Sequence, residues 1–166
     1  MAEAALDDAS ALCLSCGLCC NGGLFNRVEL NEEDRARLAA NGIDAPEQLP
    51  HPCRHFAAPA CSIYGVRPWH CSDYRCEVLK RMQDGAIEPD AARGLVDRAR
   101  TLRAQMEKLL PPELSAVRLA EDLRTEAPEQ RDPTRLQALV RFAAYRMFVE
   151  RHFLHPKAHW MTRIKS

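Results

Sequence analysis

The chain has 166 residues, enough to bury a core without cross-links, so its cysteines are not needed to compensate for a small interior. Lys and Arg total 23 and Asp and Glu total 23, a zero net charge that argues against the uniform basic field of a dedicated nucleic-acid binder. Eight cysteines, all between Cys13 and Cys76, are the compositional outlier. The acidic start, Met1 to Asp8, has neither the basic region nor the apolar run of a signal peptide, and no stretch reaches the ~20 apolar residues of a membrane span. The expected location is therefore the cytoplasm, where thiols stay reduced and clustered cysteines favour metal over a disulfide framework.

In chain order, residues 1–12 read as a leader, 13–84 as a cysteine-rich metal-binding module and 85–166 as a helical extension. Asn31 followed by Glu32, Glu33 and Asp34 is a capping residue with early acids, and Asn41-Gly42 is a stop, so a short helix lies between the cysteine groups. Residues 45–59 hold Pro46, Pro50, Pro52 and Pro59 and read as a loop presenting Cys53. Cys61 to Tyr64 reads as a brief strand or turn, and Glu77 to Gln83 as a short helix closed by Asp84-Gly85. Leu95, Ala99, Leu102, Met106 and Leu109 recur at helical spacing after Pro89, and Pro111-Pro112 stops that run. A shorter helix is expected over residues 113–124. Asp132-Pro133 opens a last helix whose expected inner face is Leu136, Leu139, Val140, Ala143, Met147 and Phe148. The fold class is thus mainly α: an irregular, metal-nucleated N-terminal module packed with about three C-terminal helices.

Cys13, Cys16, Cys19 and Cys20 fall within eight positions. Three thiolates at successive two-residue gaps suit a bulky soft centre, and the spacing favours an iron-sulfur cluster, [4Fe-4S] first, with Zn²⁺ as the alternative cofactor. Adjacent side chains point apart, so Cys20 is not the expected fourth ligand of the Cys13, Cys16, Cys19 set; Cys53 or a later cysteine is. Cys20 is then free to serve a second centre with Cys61, Cys71 or Cys76, and eight cysteines divide evenly into two four-ligand sites. Zinc allows a different partition, a Cys-x-x-Cys-Gly knuckle at Cys13 to Gly17 joined by a later pair.

Cys13-x-x-Cys16-Gly17-x-Cys19-Cys20, then Cys53, Cys61-Ser62-Ile63-Tyr64 and Arg67-Pro68-x-x-Cys71, resembles the CxxCxxCC family, also called YkgJ-type cysteine-cluster proteins, which are zinc- or iron-chelating domains. The resemblance covers roughly residues 13 to 76. It implies metal chelation by Cys13, Cys16, Cys19, Cys20, Cys53, Cys61 and Cys71; Cys76 joins them on the even count alone. A longer flagellin lysine methylase shares a similar motif, but no glycine-rich nucleotide fingerprint accompanies it here.

Around the cysteines, Arg67 is placed to offset thiolate charge and Pro68 to fix the turn into Cys71. Phe25, Phe56, Tyr64, Trp69 and Tyr74 are placed to exclude water from a cluster or to form the module's core. His51, His55 and His70 flank Cys53 and Cys71 as substitute ligands. No serine elbow, phosphate loop or HExxH occurs, so the residues name no reaction. The leading expectation is a non-catalytic or accessory metal-binding protein. The alternatives are a redox or protein-modifying enzyme using the cluster, and a zinc-stabilised adaptor. From Arg135 onward seven Lys or Arg stand against Glu150 alone. That basic end and the helical half offer a surface for a protein partner, with nucleic acid less favoured.

Overall fold

The computed structural model describes residues 8–110 and 132–155, together with 122 and 125. Among them the chain is mainly α-helical. Helix α1 (Asp8–Cys16) leads into a tight turn and strand β1 (Arg27–Glu29), followed by α2 (Glu32–Ala40) and β2 (Gln48–Pro50). A second ribbon, β3 (Phe56–Ala57) with β4 (Ala60–Cys61), precedes a 3₁₀ turn at Tyr64–Val66 and the short helices α3 (Trp69–Asp73) and α4 (Glu77–Gln83). Two long helices, α5 (Pro89–Glu107) and α6 (Pro133–His152), complete the described fold and pack along one another.

Local chemistry sets most boundaries. Asn31 caps α2, its side chain accepting the Asp34 amide at 2.7 Å, and Gly42 continues past the helix end at φ +70°. The cap contributes about 1 kcal/mol. Cys76 caps α4 and Gly85, at φ +70°, follows its end. Asp132 accepts the Thr134 amide at 2.7 Å, and Pro133 fills the first turn of α6 where no amide is needed.

Three readings of the sequence change. Residues 45–59 are not all loop: Gln48–Pro50 pairs antiparallel with Arg27–Glu29, Val28 opposite Leu49. Pro50 is compatible because its pair with Arg27 is a non-hydrogen-bonded one, where the ladder needs no N–H; the next bond runs from the His51 amide to the Asn26 carbonyl at 2.8 Å. Cys13 and Cys16, which spacing alone left without an element, lie on the last turns of α1, a helix that starts at Asp8. On α6 the buried residues are Ala138, Tyr145 and Val149, whereas Val140 is 67% and Met147 71% exposed. Leu136 and Ala143 also face out, and only Leu139 and Phe148 of the expected face are partly buried. Apolar residues occupy more than one side of this helix, so periodicity alone did not choose the inner one.

The stripe on α5 is Ala92, Val96, Ala99, Leu102 and Met106, with Leu95 at its margin. Its Ala92, Val96, Ala99 and Leu102 pack into the same apolar core as Leu12 of α1, Leu18 and Leu24 of the turn, Val78 of α4 and Val149 of α6. Residues of the cysteine-rich stretch and of the long helices therefore share one interior. The helix expected over 113–124, and Lys157, Arg163 and Lys165 of the basic end, lie outside the described residues. No helix among those described is long and apolar enough to cross a membrane.

Candidate metal centre

Three residues apart on one helix, Cys13 and Cys16 project from the same face of α1. Gly17 then ends the helix in the left-handed region, φ +62°, its amide bonding the Cys13 carbonyl at 3.1 Å. The chain turns back on itself: the Leu18 carbonyl accepts the amides of Gly23 at 2.8 Å and Leu24 at 3.0 Å, which holds Cys19 and Cys20 on a closed loop. From the far side α4 brings Cys76, whose sulfur accepts the Leu79 amide at 3.5 Å. Cys13, Cys16, Cys19, Cys20 and Cys76 line one cavity of about 40 Å³, otherwise walled by apolar groups such as Leu12, Leu24, Val78 and Phe153, with Tyr74 at its edge. A single water needs roughly 10–15 Å³, so the thiols surround a real space.

Burial dominates the electrostatics. It pushes the Cys16 thiol up to about 12 and the Cys19 thiol well above the usual range, and the neighbouring Cys76 and Cys13 sulfurs raise both further. Burial likewise lifts Cys76 to about 11, with Cys13 again among the neighbours that raise it. Four thiols without a cation among them resist ionisation; a bound metal reverses that preference because it binds the thiolate. Cys13 is also raised chiefly by burial, but Arg67 and Arg75 act against it.

A second set forms around Cys20. Its carbonyl accepts the Cys53 amide at 2.7 Å, and the Cys53 carbonyl accepts the Phe56 amide at 3.0 Å. Phe56 is paired with Cys61 across the β3–β4 ribbon. Cys71 comes from α3. Burial pushes the Cys20 and Cys71 thiols up to about 12; Cys71, Cys13, Cys53 and Cys61 add to the first, Cys53 and Cys61 to the second. Cys13 and Cys71 are exposed as residues, yet burial is the largest influence on both thiols.

Cys20 therefore takes part in both groups: it lines the cavity with Cys13, Cys16, Cys19 and Cys76, and its carbonyl accepts the Cys53 amide. Of the cysteines after Cys20, Cys76 lines this cavity and Cys53 does not. All eight are free thiols. Among the described residues no three Cys, His, Asp or Glu side chains stand as a ready-made group for an ion. The sulfurs line a space rather than meeting at a point.

The supporting residues are divided between the two halves of the chain. Arg67 stacks on Tyr64, 3.8 Å from the ring centroid, and its charge favours the thiolates of Cys13 and Cys71, as its position before the turn implied. Phe25 is buried and meets Tyr74 edge to face at 5.1 Å; Phe56 covers Gly17; Trp69 is 51% exposed and shields little. His51, His55 and His70 do not line the cavity. His55 accepts from Arg54 at 3.2 Å.

Four residues that motif reading passed over hold the site together. Asp34, 1% exposed, accepts the Trp69 amide at 2.8 Å and pairs with Arg37 at 2.5 Å, tying α2 to the start of α3. From α5, Arg103 reaches the Asn21 side chain and, at 2.9 Å, its carbonyl; Arg100 reaches the Ser15 carbonyl at 3.2 Å. Tyr145 of α6 donates to the Gly23 carbonyl at 2.9 Å. An Asn-Gly-Gly segment directly after a cysteine pair was the available signal that backbone groups here need outside partners.

No curated relative and no solved structure matches the chain. A family model does match, over residues 12–90, and its description is "CxxCxxCC: putative zinc- or iron-chelating domain". That span contains all eight cysteines together with Asp34 and Arg67. The donor set fits the description, since thiolates are the ligands of structural zinc and of iron-sulfur clusters alike. Residues 12–90, just under half of the chain, thus match the CxxCxxCC family of zinc- or iron-chelating domains.

Proposed function

We propose that this protein is an accessory, non-catalytic metalloprotein in which Cys13, Cys16, Cys19 and Cys76 hold an iron-sulfur cluster, [4Fe-4S] in type. Residues 13–84 form the chelating module and residues 85–166 the helical support, and the protein works in the reducing cytoplasm. The observation that carries this reading is the cavity: these four cysteines, with Cys20 beside Cys19, line one apolar-walled space larger than one water requires. A lone zinc ion wants four sulfurs ~2.3 Å away and therefore in near contact with one another. A cubane holds its thiolates farther apart, around its own sulfide and iron core.

When bound, such a cluster supplies a one-electron couple whose potential depends on hydrogen bonds to sulfur and on water exclusion. The chain provides both. The Leu79 amide is already directed at the Cys76 sulfur, and Leu12, Val78 and Phe153 keep solvent from the cavity. Arg67 and Arg75 offset the negative charge that four thiolates bring.

The deciding experiment is iron, zinc and acid-labile sulfide per chain in protein purified anaerobically without an affinity metal column. Iron and sulfide in near-equal amounts, with a visible band that bleaches on dithionite, are expected. Zinc with no iron or sulfide would overturn the cluster and leave a structural zinc module.

A further inference from the structure

We infer that the outer face of α6 docks a helix of another protein, amphipathic and acidic, along a seam of Leu136, Val140, Ala143 and Met147. The inference concerns the helical half of the chain and stands whether or not the cysteines hold a cluster.

The sequence marks these four residues as an inner face, and the structure leaves them outside. Leu136, Val140 and Met147 are exposed large apolar side chains, and Ala143 and Ala144 are exposed with them. Single apolar side chains on a surface are ordinary. Here they follow one another at intervals of four, three and four residues, so they line one side of the helix over about 16 Å and repeat as the a and d positions of a heptad do. The fold uses the opposite side, where Ala138, Tyr145 and Val149 pack inward. Among the described residues nothing covers the outer one. A seam of this spacing is read by a second helix, and the two alanines at its middle let the backbone of that helix come close.

Charge selects the kind of helix. Arg141, Arg146 and Arg151 border the seam against one acid, Glu150, and Arg146 already holds that carboxylate at 2.8 Å. Arg141 meets the neutral Gln105 at 3.4 Å, and among the described residues neither it nor Arg151 has a carboxylate partner. A second copy of the chain would set arginines near arginines, with Glu150 engaged on each side. An occupant with Glu or Asp beside its apolar positions answers both the seam and the arginines.

The test uses the full-length protein, purified anaerobically, and a fluorescent synthetic peptide of about three heptads with Leu at a and d and Glu at e and g. A peptide with Lys in place of each Glu is the control. The wild-type chain, monomeric by sedimentation, is expected to bind the acidic peptide about tenfold or more tightly than the lysine peptide, and to lose most of that binding between about 0.05 and 0.5 M salt. Anisotropy reads the binding and circular dichroism the helix that the peptide gains. Val140→Gln/Met147→Gln is expected to bind neither peptide, while its own circular dichroism and metal content match the wild type because both positions are exposed. Arg141→Glu/Arg151→Glu is expected to prefer the lysine peptide. Equal binding of both peptides by the wild type overturns the inference, as does binding that Val140→Gln/Met147→Gln leaves unchanged. A wild-type dimer that becomes monomeric in Val140→Gln/Met147→Gln gives the face to a second copy and overturns it too. So does a wild-type chain that binds neither peptide, whether its own residues 111–131 or 156–166 or water then cover the face. None of these outcomes touches metal chelation, which the iron, zinc and sulfide content decides separately.

Discussion

The phenol of Tyr145 donates to the carbonyl of Gly23 at 2.9 Å, joining α6 to the cysteine loop across 122 positions of sequence. Both residues are buried. The loop that carries Cys19 and Cys20 is thus anchored by a helix outside the residues that define the chelating family. Arg103 makes a parallel attachment at Asn21. The long helices act as a back wall against which the loop keeps its shape.

Replacing Tyr145 with Phe keeps the ring but leaves the Gly23 carbonyl buried without its donor. A loss of about 1–3 kcal/mol is expected, the desolvation penalty of one orphaned acceptor. Urea unfolding of the metal-loaded protein measures it; an unchanged midpoint would show that the attachment contributes nothing.

The same phenol gives a pH dependence. Burial pushes Tyr145 up to about 12 from an ordinary value of 10, so the folded state holds this proton more tightly than the unfolded chain does. The stabilisation is fully present below pH 10 and is lost as pH rises through about 12. Wild-type protein should therefore lose stability more steeply than Tyr145→Phe across that interval. Parallel alkaline curves for the two would contradict the assignment.

Gly23→Ala tests the closeness of the approach. An added Cβ would stand 2.6 Å from the Tyr145 hydroxyl, 2.9 Å from Arg103 Nη1 and 3.0 Å from the Leu18 carbonyl. Tyr145 and Arg103 must both shift, at a cost of about 1–3 kcal/mol. Gly17→Ala should be worse, because it combines φ +62° with a Cβ 2.5 Å from the Phe56 ring. Thermal melts of both variants should rank wild type, Gly23→Ala, then Gly17→Ala.

Arg103→Ala should remove both Asn21 attachments and cost about 1.5–3 kcal/mol, the range for hydrogen bonds to a charged group. Because the loop carries Cys19, metal should leave faster as well. Transfer to a competing chelator, followed optically, reports that rate, and equal rates for variant and wild type would separate the loop's anchoring from its metal.

Metal removal should destabilise the region around α1, α3 and α4 far more than α5, since ligand binding contributes to folding only where ligands lie. Amide hydrogen exchange with and without chelator distinguishes the two. Uniform loss of protection would mean that the shared core transmits the effect throughout the molecule.

The sequence by itself determined that this is a thiolate metal-binding chain with a helical remainder. Cysteine chemistry is local: eight thiols in 64 positions announce soft-metal ligation whatever the fold. Caps are local too, so Asn31, Asp132-Pro133 and Asp84-Gly85 marked helix ends correctly. What only the tertiary structure decided is which distant group meets which. Cys76 lines the cavity with Cys13, Cys16 and Cys19, and Cys53 does not, because α4 packs beside α1, and no spacing rule encodes that packing. The inner face of α6 carries Ala138, Tyr145 and Val149, with Tyr145 bonded to the Gly23 carbonyl, while the apolar Val140 and Met147 are exposed. That polar partner exists only once the cysteine loop has closed, so apolar spacing alone did not mark the inner face.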